Sequence, residues 1–195
     1  MAPSSTLLEP KLAARAGKRD DPIECSVHTL PKPLMREFRH VFGEKYQLDL
    51  MDMNDAAMRD DGDDGGLELL AIPTNQQARQ DLVSVGDEVE YEKDRLLNVF
   101  LEFGQELCER IRAMGYWADY IDPCSGLPMI TRDCNKVYSE VDGMECLLNY
   151  RAYNAGFCKV LTHPKWGTSV YPATIFCYAP RDPVIQLVKE YQFES

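Results

Sequence analysis

The stretch "EKDRLLNVFLEFGQELCERIRAMG", residues 92–115, carries the clearest periodic signal in this chain of 195 residues. Its apolar residues recur at the spacing of one helical face: Leu96, Leu97, Phe100, Leu101, Leu107, Cys108, Ile111 and Met114. Acidic residues precede it, where a helix N-terminus favours negative charge, and Gly115 is suited to end it. The pattern therefore predicts one long amphipathic helix, with Cys108 in the core.

Strand patterns lie on both sides of this helix. Alternation or apolar composition predicts strands at 23–30, 46–53, 67–73, 80–85, 117–121, 156–163 and 169–180. The third and fourth of these are expected to pair across a polar turn, and the last two are separated by a hairpin turn at "PKWGT" (164–168). Short helices are predicted at 34–42 and 183–193. This mixture indicates an α+β fold, with a mixed or antiparallel sheet, one long helix and a few short ones.

Composition and charge exclude some partners. Hydrophobic residues make up 45% of the chain, so it can build a core, and the formal net charge is -11. Such an acidic surface repels nucleic acid and anionic lipid, and no apolar run approaches the roughly 20 residues of a membrane span. We therefore expect neither nucleic acid nor membrane as a partner, and favour a protein or a neutral small molecule.

The chain is predicted to form a single domain over residues 22–195, preceded by a flexible N-terminal arm at 1–21. Residues 44–66 include an acidic, Gly-rich segment that does not match the calcium-loop template in any register. Because like charges and glycine oppose packing, this segment is interpreted as a solvated loop or insert.

The seven cysteines and three histidines do not form a recognisable metal or disulfide pattern. The cysteine number is odd, the spacing is scattered, and no pair is separated by two residues. These features favour an intracellular, mostly reduced protein and remove support for a zinc ribbon or a thioredoxin-like motif.

The segment "GFCKVLTHPKWG", residues 156–167, contains the one candidate for an exposed thiol. On a strand, Cys158 shares a face with Val160 and Thr162, whereas the other face is shared by Phe157, Lys159, Leu161 and His163. His163 is therefore not expected to act as a base for Cys158, although the charge of Lys159 is close enough to help a thiolate. Free cysteine is among the most buried residue types, so the residues alone favour a core position and leave an exposed thiol as the alternative.

Other candidates are weaker. Trp166, beside Gly167, is either a recognition element or, more commonly for a Trp in a turn, a lid over the edge of the core. Asp119 and Asp122 have odd spacing, which places them on opposite faces of a strand and argues against a shared acid–base pair. Asp122 is better interpreted as the first residue of the "DPCSG" turn. No nucleophile elbow, P-loop or dinucleotide-binding motif occurs.

Three segments carry a resemblance to a known family: "GYWADYIDPCSGL" (115–127), "GFCKVLTHPKWGTSV" (156–170) and "ATIF" (173–176). Together they resemble the C-terminal domain of the CblD family of cobalamin-trafficking proteins, over roughly residues 23–180. The resemblance implies an α+β fold related to the flavin nitroreductases but without flavin. The acidic insert at 44–66 is additional to the family pattern.

The resemblance also implies a function without catalysis. It implies an adaptor that docks on the cobalamin-processing protein CblC and helps to pass cobalamin to methionine synthase in the cytoplasm or to methylmalonyl-CoA mutase in mitochondria. A cysteine of the family's G-C-C-K-V segment can coordinate cobalt. Here Phe157 replaces the first cysteine of that pair, so Cys158 is the candidate cobalt ligand, with Gly156 and Trp166 as further cofactor-binding candidates.

Two other functions stay open. One is a flavin- or thiol-dependent reductase on a nitroreductase-like fold, although no obvious cluster of Arg, Lys and Ser would hold a flavin phosphate. The other is a scaffold that binds its partner without touching the cofactor.

Overall fold

The computed structural model describes residues 5–6, 23–43 and 66–193, and within them the protein is α+β with antiparallel sheets and four helices. The strands are β1 (Ser5–Thr6), β2 (Ile23–Cys25), β3 (Val27–Thr29), β4 (Leu67–Gln77), β5 (Trp117–Tyr120), β6 (Arg151–Ala155), β7 (Cys158–Thr162) and β8 (Val170–Pro180). The helices are α1 (32–43), α2 (Asp87–Ala113), α3 (Glu140–Leu148) and α4 (Arg181–Phe193). Both the α+β class and the single long helix expected from the sequence are confirmed.

The main sheet is built around β4 and β8, which pair antiparallel along their whole length from Leu67↔Pro180 to Gln77↔Val170. The strand order is β1-β3-β4-β8-β5, and β2 also pairs with β4. β2 and β3 keep one register against β4 and are interrupted at Ser26, which lies beside Pro73. Proline has no N–H to donate, so the ladder breaks there and one predicted strand becomes two.

Helices cover both faces of this sheet, giving three layers. α2 and α4 pack on one face, where Phe100, Leu107, Ile111, Val184 and Val188 join sheet residues such as Leu70 and Ile175. α1 and α3 pack on the other face, through Phe38, Phe42 and Leu147 against Trp117 and Phe176. The burial of apolar side chains on both faces makes the sheet a rigid support for the elements at its edges.

The long helix begins at Asp87, five residues before the stretch that predicted it. The acidic residues expected upstream therefore form its first turn, which suits the positive end of the helix dipole. Cys108 is fully buried, as predicted, whereas Met114 at the end of the predicted stripe is exposed. Gly115 adopts a positive φ of 88° after the C-cap residue Met114, which explains the end of the helix.

Two strand predictions were wrong in their pairing or type. Residues 80–85 form bends and a turn instead of a strand, because the Asp81 carboxylate accepts a hydrogen bond from the Val83 amide at 3.1 Å. β7 pairs with β6 and not with β8, so "PKWGT" does not join a hairpin of the last two strands.

Several predictions lie outside the described residues. These are the strand at 46–53, the acidic segment at 54–65 and the N-terminal arm apart from Ser5–Thr6. In the described part of the chain, no helix combines the length and apolar character needed to cross a membrane.

Candidate functional site

The segment with the candidate thiol forms a β-hairpin that is separate from the main sheet. β6 and β7 pair antiparallel from Arg151↔Thr162 to Ala155↔Cys158, so Gly156 and Phe157 form a two-residue loop. Gly156 has a φ of +64°, and a positive φ at the first loop residue is the requirement of a type II′ turn. A β-carbon at Gly156 would meet no atom within 4 Å. The glycine therefore serves the turn, and its surroundings are open.

Cys158 is the first residue of β7, directly after the turn, and its thiol is free and exposed. The core position favoured by the residues alone is therefore wrong. The reason is pairing: β7 belongs to a two-stranded hairpin outside the main sheet, and along its outer face Cys158 is exposed whereas Val160 and Thr162 are half-buried. Directly opposite Cys158 lies Ala155, whose small side chain leaves the thiol accessible.

The inner face of the hairpin is held against α3. Leu161 is buried in a cluster with Met144 and Val170. Closer to the tip, Lys159 Nζ donates a hydrogen bond to Asp142 Oδ1 at 2.6 Å and another to Glu145 Oε2. These bonds raise the pKa of Lys159, and the Lys159 hydrogen bond lowers the pKa of Asp142. The ammonium charge is thus directed to α3 on the face opposite Cys158.

His163 is excluded as a partner of Cys158 by its contacts. Its Nδ1 lies 3.2 Å from the backbone amides of Lys165 and Trp166, so Nδ1 accepts and the ring proton is on Nε2. Nε2 then donates to Glu24 Oε2 at 2.9 Å, in a site where His163 is almost completely buried. His163 consequently joins the base of the hairpin to β2.

Trp166 lies at the far end of the hairpin from Cys158. Its ring stacks on His163 with centroids 4.0 Å apart and packs against the cluster around Met144. The His163 and Gly167 backbones exchange two hydrogen bonds, at 2.8 and 2.9 Å, which close the loop. Since β7 rises about 3.3 Å per residue, Cys158 and His163 are separated by on the order of 15 Å. The structure therefore places Trp166 as a lid at the core edge, and a cofactor contact by this residue stays a prediction.

Asp119 and Asp122 do not form an acid–base pair, and their odd spacing had predicted this absence. Asp119 is buried and accepts hydrogen bonds from the backbone amides of Tyr120, Ile130 and Thr131 at 2.7 to 2.9 Å. Asp122 begins the turn and accepts from Cys124 and Ser125. Both carboxylates are therefore committed to organising the backbone.

The helix that supports the hairpin, α3, was not predicted from the sequence. α3 has a recognisable N-cap, because Ser139 Oγ accepts from the Asp142 amide at 3.3 Å, and it ends at Asn149 in the left-handed conformation. The S-x-x-D spacing was the available signal. In contrast, no local pattern indicates that Lys159 meets this helix or that His163 meets Glu24.

No three His, Cys, Asp or Glu side chains in the described part of the chain converge closely enough to hold a metal ion. The site is thus a single thiol presented by a hairpin, with its support on the opposite face.

Comparison of the chain with known proteins identifies its family. The family model for the methylmalonic aciduria and homocystinuria type D protein matches residues 9–189. The chain is 32% identical over 160 residues to the cobalamin trafficking protein CblD of Rattus norvegicus and, over the same length, of Homo sapiens; each match covers 82% of this chain and 48% of the relative. For the Mus musculus protein the identity is 31% over 163 residues, covering 84% and 49%.

The chain thus spans about half the length of the curated relatives that it matches. The match to the family model extends over most of the described residues, including the hairpin and the helix that supports it. This chain belongs to the methylmalonic aciduria and homocystinuria type D protein family.

Proposed function

We propose that this chain is a cobalamin-trafficking adaptor that presents the Cys158 thiolate to the cobalt of a cobalamin held by a partner protein. The observation that carries the proposal is the exposed Cys158 thiol at the tip of a hairpin whose opposite face is fixed to α3. The relatives' name, cobalamin trafficking protein, gives the class of cargo. In this role the chain carries out no catalysis of its own.

The chemistry of Cys158 suits this cargo. A soft thiolate is a favourable ligand for a transition metal, and coordination requires the deprotonated sulfur. In the proposed step, Cys158 would release its thiol proton to solvent and bind Co(III) through a sulfur lone pair, in place of a water molecule that was bound to the metal. Neither cobalt nor sulfur changes its oxidation state, so no further reactant is needed.

The partner in this proposal is a cobalamin-processing protein of the CblC type, which forms a heterodimer with this chain. Cobalamin is then passed to methionine synthase or methylmalonyl-CoA mutase, in the cytoplasm or in mitochondria. The fold is proposed to be a variant of the nitroreductase fold that has lost its flavin. Gly156 contributes by keeping the tip narrow, because it supports the two-residue turn without a side chain.

The proposal is tested by the visible spectrum of the partner loaded with water-bound Co(III) cobalamin. Addition of the wild-type chain should shift the absorption bands as a thiolate replaces water. Cys158→Ser should abolish the shift, because serine offers no soft ligand. The matched control is Cys124→Ser, since Cys124 is the other exposed cysteine in the described residues and lies outside the hairpin.

A spectrum that shifts equally with Cys158→Ser would show that the ligand is another group. Unaltered cobalamin transfer by Cys158→Ser, together with tight binding to the partner, would favour a scaffold that does not touch the cofactor.

A further inference from the structure

Phe157 exposes its whole side chain at the tip of the hairpin, with a relative accessibility of 110%. Two-residue hairpin loops normally carry Gly, Asn, Asp or other polar residues, so an aromatic ring is unusual there. In the isolated chain the ring contributes no packing. An apolar ring in this position is instead suited to a surface that another molecule covers.

A second aromatic residue, Tyr153, lies on the face of the hairpin that carries the thiol. In the hairpin register Ala155 is opposite Cys158 and Tyr153 is opposite Val160, so all four share the outer face. Tyr153 is 48% exposed and is the diagonal neighbour of Cys158, at a typical Cα separation of about 7–8 Å. Along the axis of the hairpin, the thiol therefore lies between Phe157 in the loop at the tip and Tyr153 further down the outer face.

The residues next to the thiol are small and leave the space around the sulfur open. Ala155 has only a methyl group, and Gly156 has none and no neighbouring atom within 4 Å of a β-carbon position. A flat molecule can therefore approach the sulfur closely, with one aromatic residue before it and one after it along the axis of the hairpin.

The charge of the outer face of the hairpin indicates what kind of molecule can cover it. The outward residues of the hairpin are Arg151, Tyr153, Ala155, Cys158, Val160 and Thr162, and none of them is acidic, although the chain has 32 acidic residues. Lys159 points to the other face, where Asp142 and Glu145 bind it. Arg151, the charged residue of this face, lies at the base of the hairpin opposite Thr162, so the part of the face near the tip carries no charged side chain. Such a tip favours an uncharged, planar surface over a charged peptide.

We infer that Phe157 and Tyr153 form an aromatic clamp that packs against the face of a partner-bound corrin ring, with Cys158 reaching the metal between them. This inference rests on the proposed function, and it adds the residues that bind the macrocycle itself. Phe157 is the principal anchor, because the full exposure of its ring leaves the largest apolar area to bury.

The test is the affinity of each variant for the cobalamin-loaded partner, measured by titration calorimetry. Phe157→Ala should weaken binding roughly tenfold or more, as expected for a central aromatic anchor, and Tyr153→Ala should weaken it less. Binding to the cobalamin-free partner should change much less. The matched control is Tyr91→Ala, which removes an equally large aromatic ring, 73% exposed, from α2 and should leave both affinities within about twofold.

Several outcomes would overturn the inference. An unchanged affinity for Phe157→Ala would do so, as would an equal loss with the cobalamin-free partner, because the ring would then contact protein only. A shift from dimer to monomer in Phe157→Ala, by sedimentation of the chain alone, would assign the ring to self-association. If Cys158→Ser abolishes the spectral shift while Phe157→Ala binds normally, the clamp fails and the proposed function stands. No binding by the wild type would overturn both.

Discussion

Glu140 places a carboxyl group inside the interface between α3 and the main sheet. Its Oε2 accepts a hydrogen bond from Thr174 Oγ1 at 2.5 Å, and its Oε1 is buried without a hydrogen-bond partner among the described residues. Burial raises the pKa of this carboxyl to about 8, and the Thr174 hydrogen bond offsets only part of the effect. At neutral pH the native protein therefore favours the protonated form.

This burial predicts an unusual pH dependence. Between pH 4.5 and 8 the native state retains a proton that the unfolded state releases, so the free energy of unfolding decreases as the pH rises. Glu140→Gln removes this component. The free energy of unfolding of the variant, minus that of the wild type, should therefore rise by roughly 2 to 5 kcal/mol between pH 4.5 and pH 8. Urea denaturation of both proteins at several pH values in this range measures the difference.

The control for this measurement is Glu109→Gln on the exposed side of α2, which should follow the pH profile of the wild type. Parallel profiles for Glu140→Gln and wild type would contradict the buried, protonated carboxyl.

At the scale of the element, the orientation of the hairpin depends on a contact between β7 and α3. Lys159 Nζ reaches two carboxylates on successive turns of the helix, Asp142 and Glu145. Below this contact the hairpin is anchored by Leu161, His163 and Trp166, whereas beyond it the tip projects into solvent. The pair of ionic bonds is therefore the last attachment before Cys158.

Removing the charge of Lys159 should loosen the tip of the hairpin without unfolding the domain. In Lys159→Met, amide hydrogen exchange at residues 153–160 is expected to accelerate roughly three- to tenfold, because the tip opens more often. In the wild type, added salt should accelerate the same amides, since exposed ion pairs are screened. The control is Lys93→Met, which breaks an exposed 2.8 Å pair with Glu90 on α2.

Exchange in the hairpin that does not respond to Lys159→Met would assign the orientation of the tip to the apolar contacts at its base alone. Faster exchange in both lysine variants would indicate a general loss of stability instead of a local effect.

At the scale of the whole molecule, the close approach of α2 to the sheet sets the three-layer arrangement. Gly104 lies in the middle of α2, and a β-carbon there would lie 3.0 Å from Cδ2 of Tyr120 on β5. Tyr120 is itself buried, with its ring 6.1 Å from that of Phe100 in an edge-to-face arrangement. The absence of a side chain at Gly104 therefore allows the helix to pack on the edge strand.

A larger residue at this position should separate the two layers. Gly104→Leu gains about 0.8 kcal/mol of helix propensity but overpacks the interface, so we expect a net loss of roughly 1 to 3 kcal/mol in the free energy of unfolding. Urea denaturation measures it, and Gln105→Leu on the exposed side of the helix is the control, with a change within about 0.5 kcal/mol. Equal stabilities for the two variants would contradict the close packing.

The sequence by itself determined the local elements of this protein. The apolar stripe of α2 and the mainly apolar composition of β5 are set by residues a few positions apart, and the DPCSG turn by side chains within its own loop. The pattern also placed Cys158 and His163 on opposite faces, because side-chain alternation on a strand does not depend on its partner. Family motifs in the same stretches then identified the thiol as the candidate ligand.

Only the tertiary structure decided which strand pairs with β7 and what covers each of its faces. The Lys159–Asp142 contact spans 17 residues and the His163–Glu24 contact 139, so no periodic pattern could contain them. Strand pairing decided that Cys158 is exposed, and helix packing decided that the Glu140 carboxyl is buried. Exposure and pKa depend on how distant segments exclude water, which is a property of the assembled layers and not of the local sequence.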